Sequence, residues 1–159
     1  MPRISPDQAS GKNVCAFLDV LAWSEFTSRI AGSDDGYNVI VGGALFSDYS
    51  DHPREKVWIP KWKVASTAAG RYQLLARYYD AYKRQLRLRD FTPVSQDLIA
   101  IQQIREQRAL QDIKFGRFDD AAAKCRNIWA SLPGAGYGQY EHKLDDLRAQ
   151  FTQAGGTIV

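Results

Sequence analysis

Sulfur and imidazole are scarce in this chain. Its 159 residues include two cysteines, one methionine and two histidines. Two cysteines cannot build the framework of a disulfide-dense secreted domain. Cys15 and Cys125 each fall in an apolar helical pattern, so two buried free thiols are expected. His52, His142 and Cys125 are zinc-binding residue types, but their spacing forms no compact ligand motif. His52 precedes Pro53 as in a loop, and His142 is expected to face solvent near the start of a helix. No metal and no organic cofactor are expected. Long apolar runs are missing too. Nothing approaches the roughly 20 residues of a membrane span, so stable membrane insertion is not expected. The segment Met1–Gln8 is polar, contains two prolines and lacks the apolar stretch of a signal peptide. Export by a signal of its own is therefore not expected.

Charge of one sign is scarce overall but not locally. The formal net charge is +3, with 45% hydrophobic and 25% charged residues, the mixture of one globular domain. Between Arg71 and Arg89, however, six basic residues (Arg71, Arg77, Lys83, Arg84, Arg87, Arg89) face one acid, Asp80. A basic helix face suits a polyanion such as a wall polymer, and a solvated surface balanced elsewhere is the plain alternative. No nucleic-acid motif accompanies it, so nucleic acid is not an expected partner.

The pattern of the chain is mostly helical. Residues 1–13 read as a flexible arm, and 14–159 as a single domain. A first helix is expected over 14–27, followed by the turn-rich Ala31–Gly36. Tyr37–Val41, Gly42-Gly43 and Ala44–Phe46 read as a β-hairpin with two turn glycines. Residues 47–65 read as irregular, carrying Pro53, Trp58, Pro60 and Trp62; such rings suit stacking on sugar faces, and packing of the loop against the domain is the equal alternative. Ser66 or Thr67 would cap a second helix reaching about Arg87, with Leu74, Leu75, Tyr78, Tyr82 and Leu86 inward. Further helices are expected from Pro93, over 109–116, 119–131 and 140–153, the last closed by Gly155-Gly156. The fold class is α+β: mostly helical with one small β-hairpin.

Within the first helix, Phe17, Leu21 and Glu25 are four residues apart and share one face. The acid thus projects from the stripe that should be buried. Burial and the negative end of the helix dipole both favour its protonated form. A carboxyl kept protonated near neutral pH is what a general acid requires. The bland alternative is a helix-end glutamate turned to water.

The residues around Glu25 carry a resemblance. Phe17–Glu25 resembles the catalytic-helix segment of the bacteriophage lambda endolysin family. Tyr37–Gly43, Phe46–Arg54, Ser66–Leu75 and Asn127–Gln139 are similar to further segments of that family, in the same order. The resemblance implies a lysozyme-like fold and a lytic transglycosylase acting on peptidoglycan glycan strands. Such an enzyme cuts the β-1,4 bond between N-acetylmuramic acid and N-acetylglucosamine and leaves a 1,6-anhydro-muramic acid. It implies Glu25 as the catalytic acid, and mobile lips near Glu55–Ala65 and Pro133–Asp146. Tyr37, Ser66, Thr67, Tyr72, Gln73, Tyr137 and Gln139 are then the expected substrate-binding residues. For Ser66 and Thr67 the alternative is capping, and for Tyr72 the core. Gly134, Gly136 and Gly138 would let a lip close. The resemblance further implies accumulation in the host cytoplasm, with a holin needed to reach the periplasm and wall. A monomer is the default.

Two departures stand out. Phe26 follows Glu25 where the family usually has glycine, and the Ser28–Gly36 segment is shorter. That segment holds Asp34 and Asp35, candidates for a second carboxylate. Ordinary glycosidases use two, so either aspartate beside Glu25 would allow a hydrolytic muramidase. A non-catalytic wall-binding module is the remaining alternative, and it has no need for a buried acid.

Overall fold

A computed structural model describes every residue from Met1 to Val159. Helix α2 (Lys12–Ser24) buries Val14, Ala16, Phe17, Leu18, Val20, Leu21, Ala22 and Ser24. A helix apolar around most of its circumference must be surrounded. It packs against α4 (Pro93–Glu106), α5 (Leu110–Lys114) and α7 (Leu144–Gln153), while α6 (Phe118–Cys125) packs on α5. Phe118 knits this lobe together, with ring centroids 5.8 Å from Phe17 and 4.9 Å from Phe151. Each large apolar side chain buried here contributes about 1.5–3 kcal/mol.

A second, smaller core gathers Ala69, Leu74, Tyr79, Phe91 and Ile99 beside α3 (Ala76–Gln85). Helix α4 serves both cores: Ile99 points into the small one, Ala100, Ile101 and Ile104 into the large one. Two lobes therefore meet along one helix. No helix is long and apolar enough to cross a membrane.

The regular sheet lies where the sequence reads as irregular. Strands β1 (Val57–Ile59) and β2 (Val64–Ser66) pair antiparallel, Trp58 opposite Ala65. Pro60 sits in the connection, where a missing N–H costs no ladder bond. The hairpin expected at Tyr37–Phe46 shrinks to one bridge, Val39 to Leu45. Its first strand is shared with another segment: Gly70 N–H donates to the Val39 carbonyl at 2.8 Å, and Val41 N–H to that of Ala68 at 2.9 Å. The Gly42-Gly43 turn itself forms as expected, with both residues left-handed.

Residues 1–13 are docked rather than loose. Ser5 and Gln8 form a capping box on the short helix α1 (Pro6–Ala9), and Ile4 and Ala9 are buried. The backbone N–H groups of Arg3 and Ile4 donate to Asp97 Oδ2 at 2.8 and 2.9 Å. A buried carboxylate thus pins the chain's start, a long-range contact that local polarity hides.

Helix α3 begins at Ala76, nine residues later than a cap at Ser66 predicts. Left-handed Gly70 and Gln73 and the Ala69–Leu74 bridge occupy the interval. Thr67 is nevertheless a cap, because its hydroxyl accepts the Ala76 N–H at 3.0 Å. Tyr79, not Tyr78, turns inward. Helix α6 stops at Cys125 and α7 starts at Leu144, both shorter than periodicity suggests. Arg71 leaves the expected basic face altogether. Only 1% of its side chain is exposed, and its guanidinium donates to Asp19 Oδ1 at 2.7 Å, the Asp35 carbonyl at 2.9 Å and Asp35 Oδ2 at 3.3 Å. Arg77, Arg84, Arg87 and Arg89 remain exposed on and beyond α3.

Candidate active site

Helix α2 ends because the chain turns left-handed. Glu25 has φ −78° and ψ 1°, and Phe26 has φ 63° and ψ 0°. Glycine is the ordinary residue in that position, and a bulkier one costs about 1–2 kcal/mol. Phe26 therefore stands at a position that favours glycine, at a cost. Its ring is held by the Arg29 guanidinium 4.3 Å from the centroid, by His142 at 5.1 Å and by Tyr140 at 5.9 Å. A short 3-10 turn (Thr27–Arg29) follows, and the Thr27 hydroxyl donates to the Arg71 carbonyl at 2.6 Å. This contact ties the end of α2 to the neighbouring lobe, so Glu25 stands at the seam.

Glu25 is half-buried there, and burial pushes its carboxyl above the ordinary glutamate range. The Ser131 hydroxyl donates to Oε1 at 2.5 Å and pulls weakly the other way. The result is a carboxyl biased toward its protonated form, as the sequence predicts from the buried stripe.

The two aspartates considered as second carboxylates are both engaged. Asp34 pairs with Arg3 at 2.5 Å and accepts from the Tyr49 hydroxyl at 2.9 Å. Asp35 pairs with the Met1 ammonium at 2.8 Å and with Arg71 at 3.3 Å. Both carboxylates are thus held in ion pairs.

The expected substrate contacts divide. Tyr37 is fully buried, its hydroxyl donating to Asp97 Oδ1 at 2.7 Å, so it belongs to the core and not to a binding surface. The Tyr72 hydroxyl donates to the same oxygen at 2.6 Å and is likewise spent inward. Burial holds both phenols well above their usual range. The Ser66 hydroxyl accepts the Ala68 N–H at 3.2 Å and Thr67 caps α3, so both serve the backbone first. Gln73 is half-buried, its amide donating to the carbonyls of Gly70 and Val39 at 2.9 and 3.3 Å. With Tyr72, Leu75, Tyr78 and Asn127–Trp129 it lines a groove of about 250 Å³. Tyr137 and Gln139 are exposed in the loop after Pro133. In that loop the Glu141 carboxylate accepts the N–H groups of Gly134 and Gly136 at 2.7 and 3.1 Å, a clasp that glycine spacing alone does not reveal. Trp58 and Trp62 are exposed on the β1–β2 hairpin.

The zinc-type residues occupy three separate places. His52 is buried in the small lobe with Nε2–H donating to the Leu74 carbonyl at 2.8 Å. Cys125 is buried in the large core, its thiol pushed up to about 12. His142 is not at the surface: it is buried against Trp23, with ring centroids 4.5 Å apart. Its Nε2–H donates to the Ser24 carbonyl at 3.0 Å, and its backbone N–H donates to the Ser131 carbonyl at 3.0 Å. Ser131, Ser24 and His142 are the site residues that sequence reasoning missed. The only signal was that Ser131 closes the segment Asn127–Ser131 ahead of the glycine loop.

An acid at the end of a buried helix, set between a helical lobe and a small lobe with a β-hairpin, defines a lysozyme-like protein. The structure superposes on bacteriophage lambda lysozyme complexed with a chitohexasaccharide with a TM-score of 0.88 and 54% identity, each chain covered in full. A second solved structure, of lysozyme from bacteriophage lambda, gives a TM-score of 0.86 and 53% identity, again with each chain covered in full. The Endolysin family model matches residues 15–158, and the chain belongs to that family. The endolysin of Escherichia phage lambda is 60% identical over 145 residues, covering 90% of this chain and 91% of that one. The endolysin of Escherichia phage P2 is 49% identical, with 98% of each chain covered. The family and the α+β lysozyme-like fold expected from the sequence are both borne out.

Proposed function

We propose that this chain is a phage or prophage endolysin that cleaves bacterial peptidoglycan as a lytic transglycosylase. One observation carries the choice of mechanism: Glu25 is a carboxyl biased toward protonation, while Asp34 and Asp35 are both committed to cations. A single acid suffices when the nucleophile belongs to the substrate. Glu25 donates its proton to the glycosidic oxygen as the bond to C1 of muramic acid breaks. The resulting carboxylate then takes the proton from the C6 hydroxyl, whose oxygen closes on C1. No water is consumed, and the acid is regenerated. General acid–base work of this kind is worth about 10²–10⁴ in rate.

The chitohexasaccharide bound to the lambda lysozyme supports a glycan as the substrate class. In this reading Gln73, Tyr137, Gln139 and the two exposed tryptophans are its contacts, and the exposure of Trp58, Trp62 and Tyr137 supports that assignment. The protein acts as a monomer without cofactor, accumulates in the host cytoplasm, and reaches the periplasm and wall once a holin opens the inner membrane.

Mass spectrometry of muropeptides released from purified peptidoglycan tests this reading. The wild type is expected to release products carrying anhydro-muramic acid, one water lighter than hydrolytic ones. Glu25→Gln is expected to release about a hundredfold less or lower still. Reducing-end muramic acid would mean hydrolysis and overturn the mechanism. Cleaved stem peptides with intact glycan would overturn the substrate bond itself.

A further inference from the structure

We propose that Ser131 is a positioning residue: it holds Oε1 of Glu25 in both protonation states, so that proton exchange with the substrate passes through Oε2 alone. The inference rests on Glu25 being the acid and base.

The hydroxyl of Ser131 has one proton and two acceptors within reach, Glu25 Oε1 at 2.5 Å and Ser24 Oγ at 3.2 Å. Ser24 cannot return the favour, because its own proton goes to the Leu21 carbonyl at 3.0 Å. Donation to a carboxylate is the shorter and stronger choice, and 2.5 Å lies in the range of a charge-assisted O–H···O⁻ bond. Ser131 and Ser24 are both buried, so water does not compete for these protons. With Oε1 accepting, the acid proton resides on Oε2. That oxygen gives it to the glycosidic oxygen and later accepts the proton of the C6 hydroxyl.

The arrangement is braced from one side. His142 donates its backbone N–H to the Ser131 carbonyl and its ring Nε2–H to the Ser24 carbonyl, each at 3.0 Å. One residue therefore fixes the donor and the end of α2 relative to each other. Glu25 is itself tethered, its N–H donating to the Leu21 carbonyl at 2.9 Å. The titratable groups on the packed elements do not reach the carboxyl. His142 is turned to Ser24, Arg29 lies over the rings of Trp23 and Phe26, and Asp146 acts on His142. Burial and Ser131 are the influences on Glu25. Preorganisation of this kind matters because small misplacements of a reacting group cost large factors in rate.

Carbon-13 NMR titration of the Glu25 carboxyl in the full chain tests the proposal, alongside muralytic pH profiles and binding of a chitohexasaccharide. In Ser131→Ala, Glu25 is expected to titrate about one pH unit higher, because a hydrogen bond to the charged form is gone. The alkaline limb of the activity profile moves with it. Turnover at the profile maximum falls about tenfold, while glycan affinity stays within about twofold, as expected when only transition-state interactions are lost. Ser131→Thr keeps the hydroxyl and restores the wild-type titration. Should the alanine variant fail to fold, Ser131→Cys keeps the size with a weak donor and is expected to shift in the same direction. An unchanged Glu25 titration overturns the proposal, as does a fall in affinity that matches the fall in turnover. Glu25→Gln separates the two readings: full activity in that variant removes Glu25 as the acid, whereas the titration still reports whether Ser131 governs its carboxyl.

Discussion

Arg71 donates from Nη2 to Asp19 Oδ1 at 2.7 Å, joining the middle of α2 to the segment that precedes α3. The same guanidinium reaches the backbone and side chain of Asp35, so one buried cation closes the loop before the Val39 bridge onto the helix. The planar fork of arginine serves three acceptors at once, which a lysine ammonium does not reproduce. The site depends on this anchor indirectly, because the Arg71 carbonyl also receives the Thr27 hydroxyl two residues beyond Glu25.

Removing that cation should be severe. Arg71→Met leaves Asp19 and Asp35 without their buried partner and is expected to cost about 3–5 kcal/mol. Arg71→Lys should recover only part of the loss. Urea unfolding of the three proteins checks this; a methionine variant within 1 kcal/mol of wild type would contradict it.

Glu25 should be a liability to stability at neutral pH. Burial raises its folded pKa above the unfolded value, so the native state holds the proton more tightly. The stability gained from that proton is present below the unfolded pKa and is lost as pH rises through the folded one. Glu25→Gln, which never ionises and still accepts from Ser131, is therefore expected to be more stable than wild type at pH 8. At pH 4 the advantage should vanish. Paired urea midpoints at the two pH values decide the matter, and a less stable glutamine variant at pH 8 would refute the sign.

Phe26 offers a test of backbone strain. Phe26→Ala loses the contacts with Arg29, His142 and Tyr140 but keeps a side chain at φ 63°. Phe26→Gly loses the same contacts and relieves the strain. The glycine variant should be more stable than the alanine variant by about 1 kcal/mol. Thermal unfolding of the pair measures the difference directly, and equal stability would show that the left-handed turn carries no penalty.

The exposed arginines beyond Arg71 should hold the protein on an anionic wall. Replacing Arg84 and Arg87 with glutamine is expected to weaken binding to purified peptidoglycan by about 1 kcal/mol at low salt. The difference should disappear near 1 M salt, where the Debye length is about 3 Å. Cosedimentation across a salt series reads this. Identical binding at every salt concentration would leave the basic face as ordinary solvated surface.

How legible each part was follows from the range of the interactions that make it. Phe17, Leu21 and Glu25 share a helix face through a spacing of four residues, so both the helix and its acid could be read directly. Gly42-Gly43 likewise marked a turn that forms. Tyr37 and Tyr72 are expected as substrate contacts within matching segments, with the core as the alternative for Tyr72, and Asp97 draws both hydroxyls inward from 60 and 25 residues away. His142 sat in a polar stretch that implied solvent, and only Ser24, 118 residues distant, makes it a buried brace. The strands at Val57–Ile59 and Val64–Ser66 were masked by neighbouring prolines whose position in the loop does no harm.

The sequence by itself determined the α+β class of fold and the helix whose buried stripe ends in Glu25, because these follow from periodicity and from residue types close together in the chain. Tertiary structure alone decided that residues 1–13 are docked, that Arg71 is buried, that Asp34 and Asp35 are occupied and that Ser131 meets Glu25 across 106 residues. Those outcomes depend on which polar groups find partners when two lobes close. No local pattern encodes that choice, since a buried charge or hydroxyl accepts whichever complementary group the packing of the apolar core brings within reach.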